Sequence, residues 1–209
     1  MLENWKFKIG KAPRRWRLPV YVARGDVETQ SGRYVNVLRP SPDTITADDI
    51  AHALSMQCRF NGHIRMFYSV AEHCVRVAGH LPPPLRIHGV LHDAAEAYLG
   101  DIVTPVKRLL FGYKRMEERM LRAIYARFGV PYPTREELLF IKRADRLALR
   151  EEAGELLPSR GQWHPGDVPV IPLDPLQCLE PKAARLLWLA ALGDEIHARS
   201  RGDATPLQA

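Results

Sequence analysis

Between residues 84 and 99 the chain carries an apolar run with helical spacing, including Val90, Leu91, Ala94, Ala95 and Ala97, and in its middle stands the pair His92-Asp93. An imidazole and a carboxylate in such a stretch can be buried only if hydrogen bonds, ion pairs or a cation offset their lost hydration. The fold must therefore bring polar partners to this pair from elsewhere in the chain. If 84–99 is one helix, His92 and Glu96 lie four apart and Asp93 and Glu96 three apart, so all three share one broad face. Gly100 supplies a helix stop, and Asp101 opens the short loop DIVTP before Pro105 begins another helical run. Asp101 is thus expected near the same mouth.

A divalent cation would satisfy His92 and Asp93 together, but it takes four or more donors, so two adjacent residues cannot complete its shell. His73, in YSVAEHCVRVAGH, borders a stripe formed by Val70, Cys74 and Val77; Asp145, in FIKRADRLALREEA, borders one formed by Ile141, Ala144 and Ala148. Both are metal-liking groups beside a core face.

The order His73, His92-Asp93, Asp145 resembles the HD-domain superfamily of metal-dependent phosphohydrolases. The wording RFNGHIRMFYSVAEHC followed by LHDAAEAYLGDIVTPVK is similar to the branch holding bacterial 5′-deoxynucleotidases and phage dATP triphosphohydrolases. The resemblance spans about residues 45–155. It implies an all-α HD-domain helical bundle in which His73, His92, Asp93 and Asp145 bind one divalent ion. It also implies that Glu96 and Asp101 orient or activate the attacking water, and that Arg59, His63 and Lys107 contact substrate phosphate. Some deoxynucleotidases have tryptophan after that arginine, whereas this chain has Phe60. Two imidazoles and two carboxylates suit Mn, Co, Ni, Fe or Zn better than Mg. The implied substrate is a small deoxynucleotide, cleaved as a dNTP triphosphohydrolase of dATP-preferring type would or as a 5′-deoxynucleotidase would. The resemblance also implies a homo-oligomer. The alternatives are a nucleotide-sensing or interaction protein with weak turnover, and a nucleic-acid-binding nuclease.

The remaining sequence organises around this centre. Residues 1–44 read as a basic arm, WKFKIGKAPRRWR, followed by a short β-hairpin with strands at 20–23 and 33–38; residues 45–209 read as the helical core. Helices are expected from Thr46 to near Arg59 and at 69–80, 84–99, 105–111, 113–128, 134–156 and 180–198, with a Pro/Gly-rich loop at 158–176. His52 and His88 read as core histidines, Glu72 as a helix-surface group, and Glu151 and Glu152 as solvated. Three cysteines without a CxxC argue against a disulfide framework, and no stretch reaches the roughly 18–20 apolar residues of a membrane span. A cytoplasmic protein acting on a small anionic nucleotide is the expectation, with neither membrane nor nucleic acid as partner. The net charge of +6 fits an anionic substrate.

Overall fold

The computed structural model describes residues 25–163 and 174–202. The basic arm, the run at 20–23 and residues 164–173 of the loop expected at 158–176 lie outside the described residues. The chain is mainly helical with one small antiparallel hairpin, β1 (Asp26–Glu28) and β2 (Tyr34–Asn36). The run at 33–38 thus supplies a strand, but its partner is β1, in a segment the sequence reads as turn. A tight reversal at 29–32, closed by Gly32 N donating to Thr29 O at 2.9 Å, sets this register.

The helices are α1 (Ala47–Met56), α2 (Val70–Gly79), α3 (Arg86–Leu91), α4 (Glu96–Leu99), α5 (Thr104–Lys107), α6 (Tyr113–Arg127), α7 (Arg135–Leu156) and α8 (Pro181–Ser200). Their starts follow from local chemistry. Thr46 caps α1 through Asp49 N, while Ser69 with Glu72 and Thr134 with Glu137 form complete capping boxes on α2 and α7. Glu72, expected at the surface, is 3% exposed because its second oxygen also accepts from Leu179 N at 3.0 Å.

Helix α2 runs through the centre, packed by α1, α3, α7 and α8. Its Val70, Ala71, Cys74 and Ala78 join Ile50, Leu54, Val90, Leu91 and Ile124 in the main core, where Trp188 donates to Val90 O at 3.1 Å. Val77 meets Ile141, Ala144 and Ala148 in a second cluster that seats α7 on α2. The α2–α3 crossing is close: a Cβ on Gly89 would fall 2.5 Å from Ala78 Cα and 2.6 Å from its nitrogen. Gly89→Ala should therefore push the two helices apart and lower unfolding free energy by about 1–3 kcal/mol. Urea denaturation reads this, and a variant as stable as the parent would contradict the crossing.

Three expected helices are shorter than their patterns, and the one at 105–111 ends at Lys107 as α5. Residues 84–99 are not one helix: after Leu91 the backbone turns through three-residue bonds, Ala94 N to Leu91 O at 3.1 Å and Glu96 N to Asp93 O at 2.9 Å, before α4 begins. The His92 ring causes part of this, because its Nδ1 donates to Gly89 O at 2.8 Å and competes with the backbone for that carbonyl. Helix α1 stops at Met56 rather than near Arg59. The chain there becomes extended and pairs with 68–70, Arg59 N donating to Tyr68 O at 2.9 Å and Val70 N to Gln57 O at 3.1 Å. It then enters a turn in which Phe60 and Asn61 adopt left-handed φ of 54° and 52°, a conformation costly for non-glycine residues.

Among the described residues no helix is long and apolar enough to cross a membrane. Cys58, Cys74 and Cys178 are unpaired.

Candidate metal centre

The fold brings His73 of α2 against His92 and Asp93 of the turn after α3. The ring centroids are 5.2 Å apart, and ligand atoms of His73, His92 and Asp93 all lie within 4.8 Å of one another. Asp93 Oδ2 stands 3.0 Å from His92 Nε2 and 3.6 Å from His73 Nε2, and Asp145 Oδ1 from α7 stands 3.2 Å from His73 Nε2. His73, His92 and Asp93 therefore form one close group, and Asp145, the fourth residue expected as a ligand, adjoins it through His73.

The outer ring nitrogens are fixed. His73 Nδ1 lies 2.7 Å from Glu152 Oε1, and His92 Nδ1 donates to Gly89 O. Both bonds leave Nε2 facing the shared point, and both Nε2 atoms are buried without a hydrogen-bond partner. Two imidazoles held at Nδ1, with Nε2 unsatisfied beside two carboxylates, fit a divalent ion of nitrogen–oxygen preference.

Burial and Arg59 lower the His73 imidazole, but Glu152 and Asp145 outweigh them and raise it. Burial likewise opposes protonation of His92, yet Asp93 lifts it well above its ordinary value. Burial would raise Asp93, but His92, His73 and Arg59 hold it well below the usual carboxylate range.

Around this point lie the other expected residues. Glu96 is 2% exposed; its Oε1 takes the Lys107 ammonium at 2.7 Å, and its Oε2 is buried without a hydrogen-bond partner. Burial, then the Asp93 and Asp101 carboxylates, push the Glu96 carboxyl up to about 9 against the pull of Lys107. Burial raises Asp101 too, with Arg59 opposing. Arg59 is buried: Nη2 lies 3.3 Å from Glu152 Oε2 and Nη1 3.7 Å from Asp101 Oδ2. Lys107 bridges Glu96 and, at 2.9 Å, Glu117. His63 ends the turn after Arg59 as an exposed residue, and no described contact joins it to the centre. His88 belongs to the core as expected, 3.3 Å from Tyr125 OH, and burial pushes it down to about 4.

Sequence reasoning missed several members. Glu152, expected in solvent, is fully buried and joins His73 to Arg59; Glu151 is also buried, 2.9 Å from both Arg76 and His80. The usable signal was spacing, since Glu152 follows Asp145 by seven residues and so returns to the same face of α7. Glu117 and Gln57 gave no comparable signal. Gln57 donates from Nε2 to Glu96 O at 3.0 Å and accepts at Oε1 from Asp101 N at 2.8 Å.

Fold and site together define a helical protein with a candidate His/Asp metal centre. The chain belongs to the family of the uncharacterized protein YfdR of Escherichia coli strain K12, with which it is 39% identical over 139 residues, covering 66% of this chain and 76% of the relative. An uncharacterized protein of Rhodobacter capsulatus is 37% identical over 137 residues, covering 60% of this chain and 70% of that protein. No protein-family model matches.

Proposed function

We propose that the protein is a metal-dependent phosphohydrolase of small nucleotides, of the HD-domain kind, acting as a deoxynucleoside triphosphohydrolase or a 5′-deoxynucleotidase. The observation that carries this reading is the pair of buried, unsatisfied Nε2 atoms aimed at Asp93 and Asp145. His73, His92, Asp93 and Asp145 would hold one divalent ion, with Mn, Co, Ni, Fe or Zn suiting the donors better than Mg. At such a point a bound ion supplies a water acidic enough to attack near neutral pH and polarises a phosphoryl oxygen.

The chain's own groups supply the rest. Glu96 and Asp101 are the proton carriers: either takes the proton of the attacking water and the other returns one to the leaving oxygen. Glu96 Oε2, buried and without a hydrogen-bond partner, is open to that exchange. Arg59 gives most of its guanidinium to Glu152, and its looser contact with Asp101 at 3.7 Å is the one a phosphate oxygen would replace. Lys107 offers a second cation, and the two would stabilise the charge that gathers on a transferring phosphoryl group.

Purified protein loaded in turn with Mn, Co, Ni, Fe, Zn or Mg should release phosphate, pyrophosphate or triphosphate from a panel of ribo- and deoxynucleoside mono-, di- and triphosphates. Product analysis on one deoxynucleotide series then separates triphosphohydrolase from nucleotidase action. No turnover across the panel sinks the proposal. One observation favours a second reading, a nucleotide-binding protein of low turnover: Arg59 and Lys107 each already face two carboxylates. Saturable nucleotide binding without product would establish it.

A further inference from the structure

We infer that Gln57 is a positioning residue, a carboxamide clamp that fixes the span between Glu96 and Asp101. The two acids sit at the ends of a segment that cannot hold its own shape. Helix α4 is a single turn of four residues, below the length at which a helix sustains itself, and Gly100, at φ 81° and ψ 150°, ends it abruptly. The Asp101 side chain meets Arg59 only at 3.7 Å. Gly100 N donates to Glu96 O at 2.8 Å and Tyr113 OH to Gly100 O at 3.1 Å, but it is a side chain distant in sequence that joins both ends: Gln57 donates to the Glu96 carbonyl and accepts from the Asp101 amide.

The geometry calls for a group with one donor and one acceptor, which a carboxamide supplies at neutral pH. A carbonyl can only accept and a backbone N–H can only donate, so the clamping group must present one donor and one acceptor about a single planar unit. A carboxylate at this place would face the Glu96 carbonyl without a proton to give; an aliphatic side chain would leave the Asp101 amide without its acceptor and the Glu96 carbonyl with Gly100 N alone, at 2.8 Å.

Gln57 is itself anchored. It caps α1, its carbonyl accepts from Val70 N at 3.1 Å, and the bridge between Cys58 and Ser69 continues the pairing into Arg59. The same short extended segment therefore bears on three parts of the centre: the start of the helix that carries His73, the guanidinium of Arg59 and the turn from Glu96 to Asp101. Gln57 touches none of the four ligand side chains in the described contacts, so the clamp acts on the acids and not on the metal. Its kinetic consequence rests on the hydrolytic reading; its structural consequence does not.

Full-length parent, Gln57→Leu and Gln57→Glu separate the two. Amide hydrogen exchange across 96–103 should quicken about tenfold or more in both variants near neutral pH, while calorimetric titration with Mn alone gives an affinity within about threefold of the parent. On whichever nucleotide the parent hydrolyses, kcat should fall about tenfold or more with KM nearly unchanged. Gln57→Glu should recover part of the exchange protection as pH is lowered, since a protonated carboxyl again offers one donor and one acceptor; Gln57→Leu should not. Unchanged exchange at 96–103, Mn affinity falling in step with the faster exchange, or full kcat despite it, each overturns the clamp. A parent that turns over no nucleotide overturns the hydrolytic reading alone, and the exchange data still decide the clamp.

Discussion

Asp93→Ala is expected to leave a folded protein that gains nothing from divalent metal and turns over no nucleotide. Among the described residues Asp93 is the one whose carboxylate pairs with both imidazoles, at 3.0 Å and 3.6 Å. In the parent, metal at about a hundred times its Kd adds about 2.7 kcal/mol to stability by mass action, and thermal unfolding with and without Mn reads the gain directly. The variant should show none. The parent's gain also depends on pH. The raised His73 and His92 values stabilise the metal-free fold fully below the ordinary imidazole value of 6.5, and that contribution is lost as pH rises through the raised values. Asp93 works the other way: its contribution is present above the ordinary 3.8 and lost as pH falls through its lowered value. Metal replaces the imidazole protons, so its stabilising effect should grow as pH rises and level off above the raised values, while the metal-free protein declines from about pH 6.5 upward. In Asp93→Ala the decline of the metal-free protein above that pH should flatten, because the carboxylate that lifts His92 is gone. A variant that still gains Tm from Mn would remove Asp93 from the ligand set.

The parts of this centre that the sequence reveals are those written in local pattern. Thr46, Ser69 with Glu72, and Thr134 with Glu137 mark helix starts because capping involves neighbours three residues apart. His73 and Asp145 stand out only together with His92-Asp93, since a single polar group beside an apolar stripe is usually structural; in the fold His73 meets Asp93, and Asp145 meets His73. The HD-domain resemblance rests on wording, RFNGHIRMFYSVAEHC and LHDAAEAYLGDIVTPVK, and not on any apolar spacing. What stays hidden depends on distant contacts. Nothing in ALREEAGEL says that Glu152 is enclosed, since that follows from how α7 lies on α2. Gln57 meets partners 39 and 44 residues away. The break after Leu91 is hidden for another reason: residues 84–99 have an unbroken helical pattern, and the interruption comes from a side chain competing for a backbone carbonyl. The left-handed Phe60 and Asn61 follow from the pairing of 57–59 with 68–70, which no spacing of apolar residues announces.

Glu152→Ala is expected to cost the fold more than it costs the metal. Glu152 accepts from Arg59 Nε and Nη2 at 3.4 Å and 3.3 Å and faces His73 Nδ1 at 2.7 Å, with its side chain wholly buried. Burial would raise its carboxyl, but His73 and Arg59 outweigh that and lower it, so it is ionised at neutral pH and its contribution fades only as pH falls through the lowered value. Truncation leaves the Arg59 guanidinium buried with only the distant Asp101 as counter-charge. Breaking a buried pair in this way costs roughly 3–5 kcal/mol, a loss that chemical denaturation of the metal-free protein would show. Losing the partner of a ligating imidazole weakens metal by about 10–100-fold, read by titration with Mn. Glu152→Gln separates these effects: its amide oxygen can still accept from His73 Nδ1, but it carries no charge for Arg59. It should keep most of the metal affinity while losing much of the stability. Equal metal affinity in parent, Glu152→Gln and Glu152→Ala would show that His73 needs no support from α7. The orientation of Nε2 would then have to come from the packing of α2 alone.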